Sequence, residues 1–221
     1  MAHNTKPSID LYGDDHIGDY DHQPIRPDAF AIPDDEKIVL IAEKFKDIMN
    51  IMGLDLSDDS LKGTPLRVAK MYIQESFSGL NPANKPEITL FDNKYKYKQM
   101  LIERDIQFYS CCEHHFQPFF GKAHIAYIST GKVIGLSKLN RIVQYYAQRP
   151  QVQERLTKQI SKEISQVLQT EDVAVKIDAC HLCVASRGIK DTHSSTVTVD
   201  YLGAFLNDDQ KRNEFLRLLE K

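Results

Sequence analysis

The chain has 221 residues, 42% hydrophobic and 27% charged, enough for one domain with a proper core or at most two small ones. No run approaches the roughly 20 apolar residues of a membrane helix, and residues 1–30 lack the basic start and apolar stretch of a signal peptide, so a cytoplasmic protein without membrane contact is expected. A net charge of −3 argues against general nucleic-acid binding, which needs a basic surface to neutralise phosphates.

Charge is unevenly spread. Residues 1–36 carry nine acidic side chains against Lys6 and Arg26, a local net of −7 that leaves the rest of the chain at +4. With Pro7, Pro24, Pro27 and Pro33 and few large aliphatics, residues 1–35 read as a flexible leader, and His3, His16 and His22 as solvated. From Asp35, Ile38, Ile41, Ala42, Phe45, Ile48, Met49 and Met52 repeat at helical spacing, with Gly53 as the stop. A second helix is expected from Thr64 as N-cap and Pro65 at the first helical position through to Gly79. Residues 80–97 read as loop. Alternating β-branched and aromatic residues predict strands at 100–112, 122–129, 173–186 and 194–202. Between them, a helix opens at Ser137, breaks at Arg149-Pro150 and resumes from Gln151 to about Gln169; a short helix follows Asn207. Two helices (36–80) followed by strand pairs around a helical insert (98–221) predict an α+β domain with an antiparallel sheet.

The four cysteines fall in two close pairs, Cys111/Cys112 and Cys180/Cys183, in a chain too large to need disulfide staples, which points to metal or catalysis. Cys112-Glu113-His114-His115 with Cys180-His181-Leu182-Cys183 supplies thiolates and imidazoles, the preferred donors for zinc. Counted naively, Cys112, His115, Cys180 and Cys183 form a closed structural site. If a strand runs regularly through Arg187, however, Val175, Ile177, Ala179, His181, Cys183 and Arg187 share one side and Cys180 points away. Cys112, one histidine and Cys183 then leave a fourth position open, the catalytic pattern. On that same side His181 could carry protons and Arg187 could receive an anion, although spacing alone does not separate a catalytic His114 or His181 from a structural one.

Gly135-Leu136-Ser137-Lys138-Leu139-Asn140-Arg141 places a serine at a helix start with Lys138 and Arg141 on one face. It is either a phosphate site at a helix N-terminus or a capped helix with solvated cations. It is not a P-loop. After Pro150, Glu154 near the next helix start either serves the helix dipole or accepts two N–H donors from a guanine edge, with Gln153 beside it.

The strings Cys-Glu-His-His (112–115), Gly-Leu-Ser-Lys-Leu-Asn-Arg-Ile-Val (135–143), Gln-Arg-Pro-Gln-Val-Gln-Glu-Arg-Leu (148–156) and His-Leu-Cys-Val-Ala-Ser-Arg-Gly (181–188) closely resemble the GTP cyclohydrolase I family, as do residues 64–72 and 202–205. The resemblance covers about residues 36–221. It implies a tunnelling fold (T-fold): a four-stranded antiparallel sheet with helices packed on one face, after an N-terminal helical extension. Pentameric barrels of this fold stack into a homodecamer with active sites between subunits. It also implies Zn2+ held by Cys112, His115 and Cys183, proton transfer by His114 and His181, guanine held by Glu154 with Gln153, and ribose and triphosphate held by Ser137, Lys138, Arg141 and Arg187. The implied reaction opens GTP at purine C8 to formate and 7,8-dihydroneopterin triphosphate, the first step of tetrahydrofolate and pterin biosynthesis. Cys111 and Cys180 lie outside the family's motif and could compete for metal or form a disulfide on oxidation; His124 and His193 have no assigned role. Two other readings compete: a T-fold enzyme acting on a deazaguanine through a cysteine nucleophile, and a non-enzymatic zinc module with four protein ligands.

Overall fold

The computed structural model describes residues 23–220; the acidic stretch 1–22, with His3, His16 and His22, lies outside the described residues. Helix α1 (Asp34–Ile51) starts after Pro33 with Asp34, Asp35 and Glu36 in its first turn, where carboxylates offset the positive end of the helix dipole. It ends at Gly53, whose φ of +79° is the left-handed conformation glycine adopts without steric cost. Helix α2 (Thr64–Lys70) is capped by Gly63, so Thr64 is the first helical residue and not the N-cap. It continues through a π turn (Met71–Ser76) and a 3-10 turn (Ser78–Leu80), so the stretch expected as one helix to Gly79 changes hydrogen-bond period on the way.

Strand β1 (Leu90–Asp92) pairs antiparallel with β4 (Lys132–Ile134) inside a stretch expected to be loop; its partner lies about forty residues on and leaves no local pattern. The main sheet is built from β2 (Met100–Cys112), β3 (Pro118–Ile128), β6 (Val173–His181) and β7 (Thr196–Tyr201), all antiparallel to their neighbours, with the two-residue β5 (Pro150–Gln151) added in parallel to Cys111 and Cys112. Helix α3 (Leu136–Ala147) and α4 (Gln153–Leu168) cover one face. Helix α3 is capped by Gly135, and Gln151, expected to open the next helix, is in strand β5 instead. Strand β6 stops at His181 because the chain turns into the four-residue helix α5 (Leu182–Ala185), five residues short of the strand end expected from the sequence.

The core follows from alternation. Ala123, Ile125 and Tyr127 of β3 and Val173, Val175, Ile177 and Ala179 of β6 face Leu139, Ile142 and Val143 of α3 and Leu156, Ile160, Ile164 and Leu168 of α4. Each large side chain buried there contributes about 1.5–3 kcal/mol of transfer free energy. The in-between residues Ala126 and Ala174 face the reverse side, where Phe205 of α6 (Ala204–Asn207) and Phe215 of α7 (Asp209–Leu219) seal one end of the sheet.

Strand β2 departs from regular alternation once. Its register against β3 slips by one residue between Glu103 and Ile106, with Asp105 at φ +60° and its N–H donated to Nδ1 of His124 (3.2 Å). Leu101 and Ile106 therefore both pack on the α3/α4 side although they are five residues apart. The bulge thereby turns Phe108 and Cys112 toward the helices and Cys111 away. Without it, Cys111 would hold the inward position.

Candidate active site

At the end of the sheet where β2 and β6 finish, Cys112 Sγ, one ring nitrogen of His115 and Cys183 Sγ lie within 4.8 Å of one another. Cys112 closes β2, His115 sits in the turn that follows, and Cys183 is in α5. Sequence alternation carried through Arg187 placed Cys183 and Arg187 on the inward face of a strand; the backbone is helical there, and it is the turn of α5 that brings Cys183 round to Cys112. Cys180 is still in the strand, opposite Phe120 on the reverse face, and stays outside the group. Burial, then the neighbouring Cys112 thiol, push the Cys183 thiol up to about 11. Burial does the same to Cys111, helped by Cys112 and Cys183. A divalent cation displaces the protons of cysteine thiols when it binds, and a pair of sulfurs with one imidazole nitrogen and room for a further ligand fits zinc by donor chemistry.

The turn is held from three directions. Cys112 N–H donates to Gln117 O (2.8 Å), and Phe116 N–H donates to Cys112 O (2.9 Å). Phe116 has a φ of +52°, unusual for a bulky residue, and its ring packs edge-on against Tyr72 of the π turn and Phe77 just after it. Glu113 donates its N–H to Gln151 O (3.1 Å), and its carboxylate takes both terminal nitrogens of the buried Arg155, at 2.6 and 3.2 Å. Arg187 donates to Nε2 of His115 (2.8 Å), so it is held at the group by a different element from the one expected. His114 is exposed, its Nδ1 3.6 Å from Cys112 Sγ.

His181 ends β6, half-buried, with its ring parallel to that of Phe119 at 4.6 Å. Burial lowers its pKa and the nearby Glu154 carboxylate only partly opposes this, which favours the neutral ring. Glu154 is exposed in the first turn of α4. Gln153, expected beside Glu154 on a guanine edge, is turned into the chain. Its side chain is 2% exposed, its Oε1 is 2.8 Å from His181 Nε2, and its amide nitrogen reaches Thr196 O, Thr198 Oγ1 and Ile177 O. Those contacts join the amide to β6, β7 and His181.

Ser137, Lys138 and Arg141 lie elsewhere. Helix α3 starts beside Ile134 and runs back along the sheet until Gln144 donates to Gln107 O (2.7 Å). At 1.5 Å per residue Ser137 is about 15 Å along the axis from Ala147, the end nearer the cysteines. Ser137 and Arg141 are exposed and Lys138 is half-buried; one chain does not bring them to the Cys-His-Cys group. A cavity of about 440 Å³ adjoins the turn through Tyr72, Cys111 and Phe116, but Cys112, His115 and Cys183 do not line it.

The family model for GTP cyclohydrolase I matches residues 41–220. The GTP cyclohydrolase 1 of Flavobacterium johnsoniae is 57% identical over 213 residues, covering 96% of this chain and 95% of the relative. That of Escherichia coli K12 is 52% identical over 194 residues, covering 88% and 87%. The chain belongs to the GTP cyclohydrolase I family. Its α+β fold, with an antiparallel sheet and helices on it, agrees with that membership, and no helix among the described residues is long and apolar enough to cross a membrane.

Within this family framework three residues escaped the sequence reading. Arg155 was visible as a charge on the buried stripe of α4, where Gln153, Leu156 and Ile160 also point inward. Glu113 lay between the ligating types but offered no donor the metal pattern required. Phe119, the stacking partner of His181, read as one more core aromatic, since only the pairing of Phe119 with His181 across β3 and β6 reveals the contact.

Proposed function

We propose that the chain is a zinc-dependent GTP cyclohydrolase I that converts GTP and, in net, one water to formate and 7,8-dihydroneopterin triphosphate. The observation that carries this reading is the Cys112–His115–Cys183 group with the half-buried His181 two residues before Cys183, in a chain of this family. Zinc, when held by those three side chains, supplies a Lewis acid that activates water for addition to purine C8. His181 and His114 move the protons. One delivers a proton to N7 as C8 is attacked, and the same groups serve ring opening, formate release, the rearrangement of the ribose and closure of the new ring. Glu154 accepts guanine N–H groups from its exposed place at the start of α4. The triphosphate is not transferred, so binding it is a means of positioning C8.

The phosphate-binding half of the site comes from a second copy of the chain in this proposal. Ser137, Lys138 and Arg141 stand at the N-terminus of α3, where unpaired N–H groups and the helix dipole favour an anion, yet they are remote from the cysteines of their own chain. A homo-oligomer, a decamer of two pentamers by family resemblance, places α3 of one subunit against the cysteine group of its neighbour, with Arg187 between.

The test is to incubate reduced, zinc-analysed protein with GTP and follow formate and the pterin chromophore, with and without a chelator. Formate and dihydropterin triphosphate that vanish on chelation are expected. Protein holding one zinc per chain that leaves GTP untouched overturns the proposal and favours the closed, non-enzymatic metal module.

A further inference from the structure

The hydrogen bonds around Gln153 form a chain whose direction is set by backbone carbonyls, which only accept. Thr157 donates its hydroxyl to Gln153 O (2.8 Å), so in its 2.7 Å contact with Thr198 the Thr198 hydroxyl is the donor. Thr198 Oγ1 is then left as an acceptor. Gln153 Nε2 faces that oxygen (3.1 Å) together with Thr196 O (2.9 Å) and Ile177 O (3.3 Å), three acceptors, which settles which end of the amide is nitrogen. Gln153 Oε1 therefore meets His181 Nε2 at 2.8 Å, and an amide oxygen can only accept. The imidazole carries its proton on Nε2.

Ring rotation offers no escape from this arrangement. The imidazole lies parallel to the fully buried Phe119 ring, 3° off coplanar orientation, and is pinned at Nε2. Its Nδ1 makes no hydrogen bond among the described residues. The buried side-chain polar atoms lacking a partner there are Gln23 Oε1 and Gln151 Oε1, so Nδ1 is open to solvent. We propose that Gln153, oriented by Thr157 and Thr198, is a positioning residue that holds His181 as the Nε2–H tautomer and makes Nδ1 the nitrogen that exchanges protons with substrate. This rests on the proposed function for the identity of the substrate, but not for the tautomer.

The tautomer is read by magic-angle-spinning 15N NMR of the full-length, zinc-loaded protein labelled at histidine, with the His181 signals assigned by their loss in His181→Asn. A protonated Nε2 and a bare Nδ1 are expected. Gln153→Met, which keeps length without the amide, is expected to mix the tautomers and to lower kcat with GTP at least tenfold, a part of the about 10²–10⁴ that a positioned acid–base group supplies, while KM stays unchanged. Should Gln153→Met not fold, Thr198→Val breaks the same chain at its next link, and Thr198→Ser restores both the spectrum and kcat. A proton on Nδ1 in the unsubstituted protein overturns the proposal. So does a Gln153→Met enzyme with raised KM and unchanged kcat, which is what a direct guanine contact would give. If the unsubstituted protein does not turn over GTP, the reaction assigned above fails, and the spectrum still decides the tautomer by itself.

Discussion

Where β2 and β6 finish, three side chains from a strand end, a turn and a short helix converge within 4.8 Å, braced by a buried ion pair, an aromatic cluster and backbone hydrogen bonds. Where α3 begins, Ser137 and Arg141 stand exposed, and neither they nor Lys138 makes a side-chain hydrogen bond among the described residues. The first region is complete in a single chain because its ligands sit on elements that already pack together. The second has donors and charge but nothing opposite them among the described residues. Under the proposed function, another surface brings the substrate's other end to it.

The contrast can be broken most severely at Cys183. Cys183→Ser is expected to abolish zinc retention and formate release together, checked by metal analysis and the formate assay; full activity in this variant sinks the metal assignment. Mixing tests whether the two regions act across chains. Cys183→Ser and Arg141→Ala proteins, each inactive alone, are expected to regain part of the activity when unfolded and reassembled together, because some sites then combine an intact cysteine group with an intact α3. No recovery in verified mixed oligomers would place both halves in one chain.

Arg155→Met probes the bracing of the finished region. It leaves the Glu113 carboxylate without its partner; about 3 kcal/mol of stability is expected to be lost, the low end for a broken buried pair because Glu113 keeps some contact with water. Denaturant unfolding measures that loss, and zinc affinity should fall with it. The smallest effect is expected at His124, where burial lowers the pKa from 6.5 and Asp105 only partly opposes it. Above pH 6.5 both folded and unfolded states are neutral there and His124 adds no pH dependence. Below it the unfolded chain takes up a proton that the folded chain resists, since Nδ1 already accepts the Asp105 N–H, so stability falls as pH falls toward the lowered pKa. His124→Asn should flatten that part of the stability profile.

Much of the architecture was legible because it is written in local period. Helix α1 and its stop at Gly53, strand β2 and the alternation of β3 and β6 follow from apolar spacing alone. The elements that were displaced are those fixed by distant partners. Strand β1 exists through β4, and β5 through the end of β2; each is too short to carry a pattern of its own. The Cys112, His115 and Cys183 group was legible by residue type and the α3 cations by clustering, whereas the end of β6 and the contacts of Gln153 depend on what lies across the sheet.

Residue type and spacing by themselves determined that this chain carries cysteines and histidines able to hold a metal, a cationic helix start and an α+β sheet to mount them on, because donor chemistry and side-chain period are properties of the chain. Tertiary structure decided how Cys112 and Cys183 come together. The bulge at Asp105 turns Cys112 inward in place of Cys111, and the turn into α5 brings in Cys183 while Cys180 stays on the reverse face. The first outcome hangs on a one-residue slip of register against β3 and the second on where β6 gives way to α5, and both are set by how these strands pack rather than by the identity of the residues that shift.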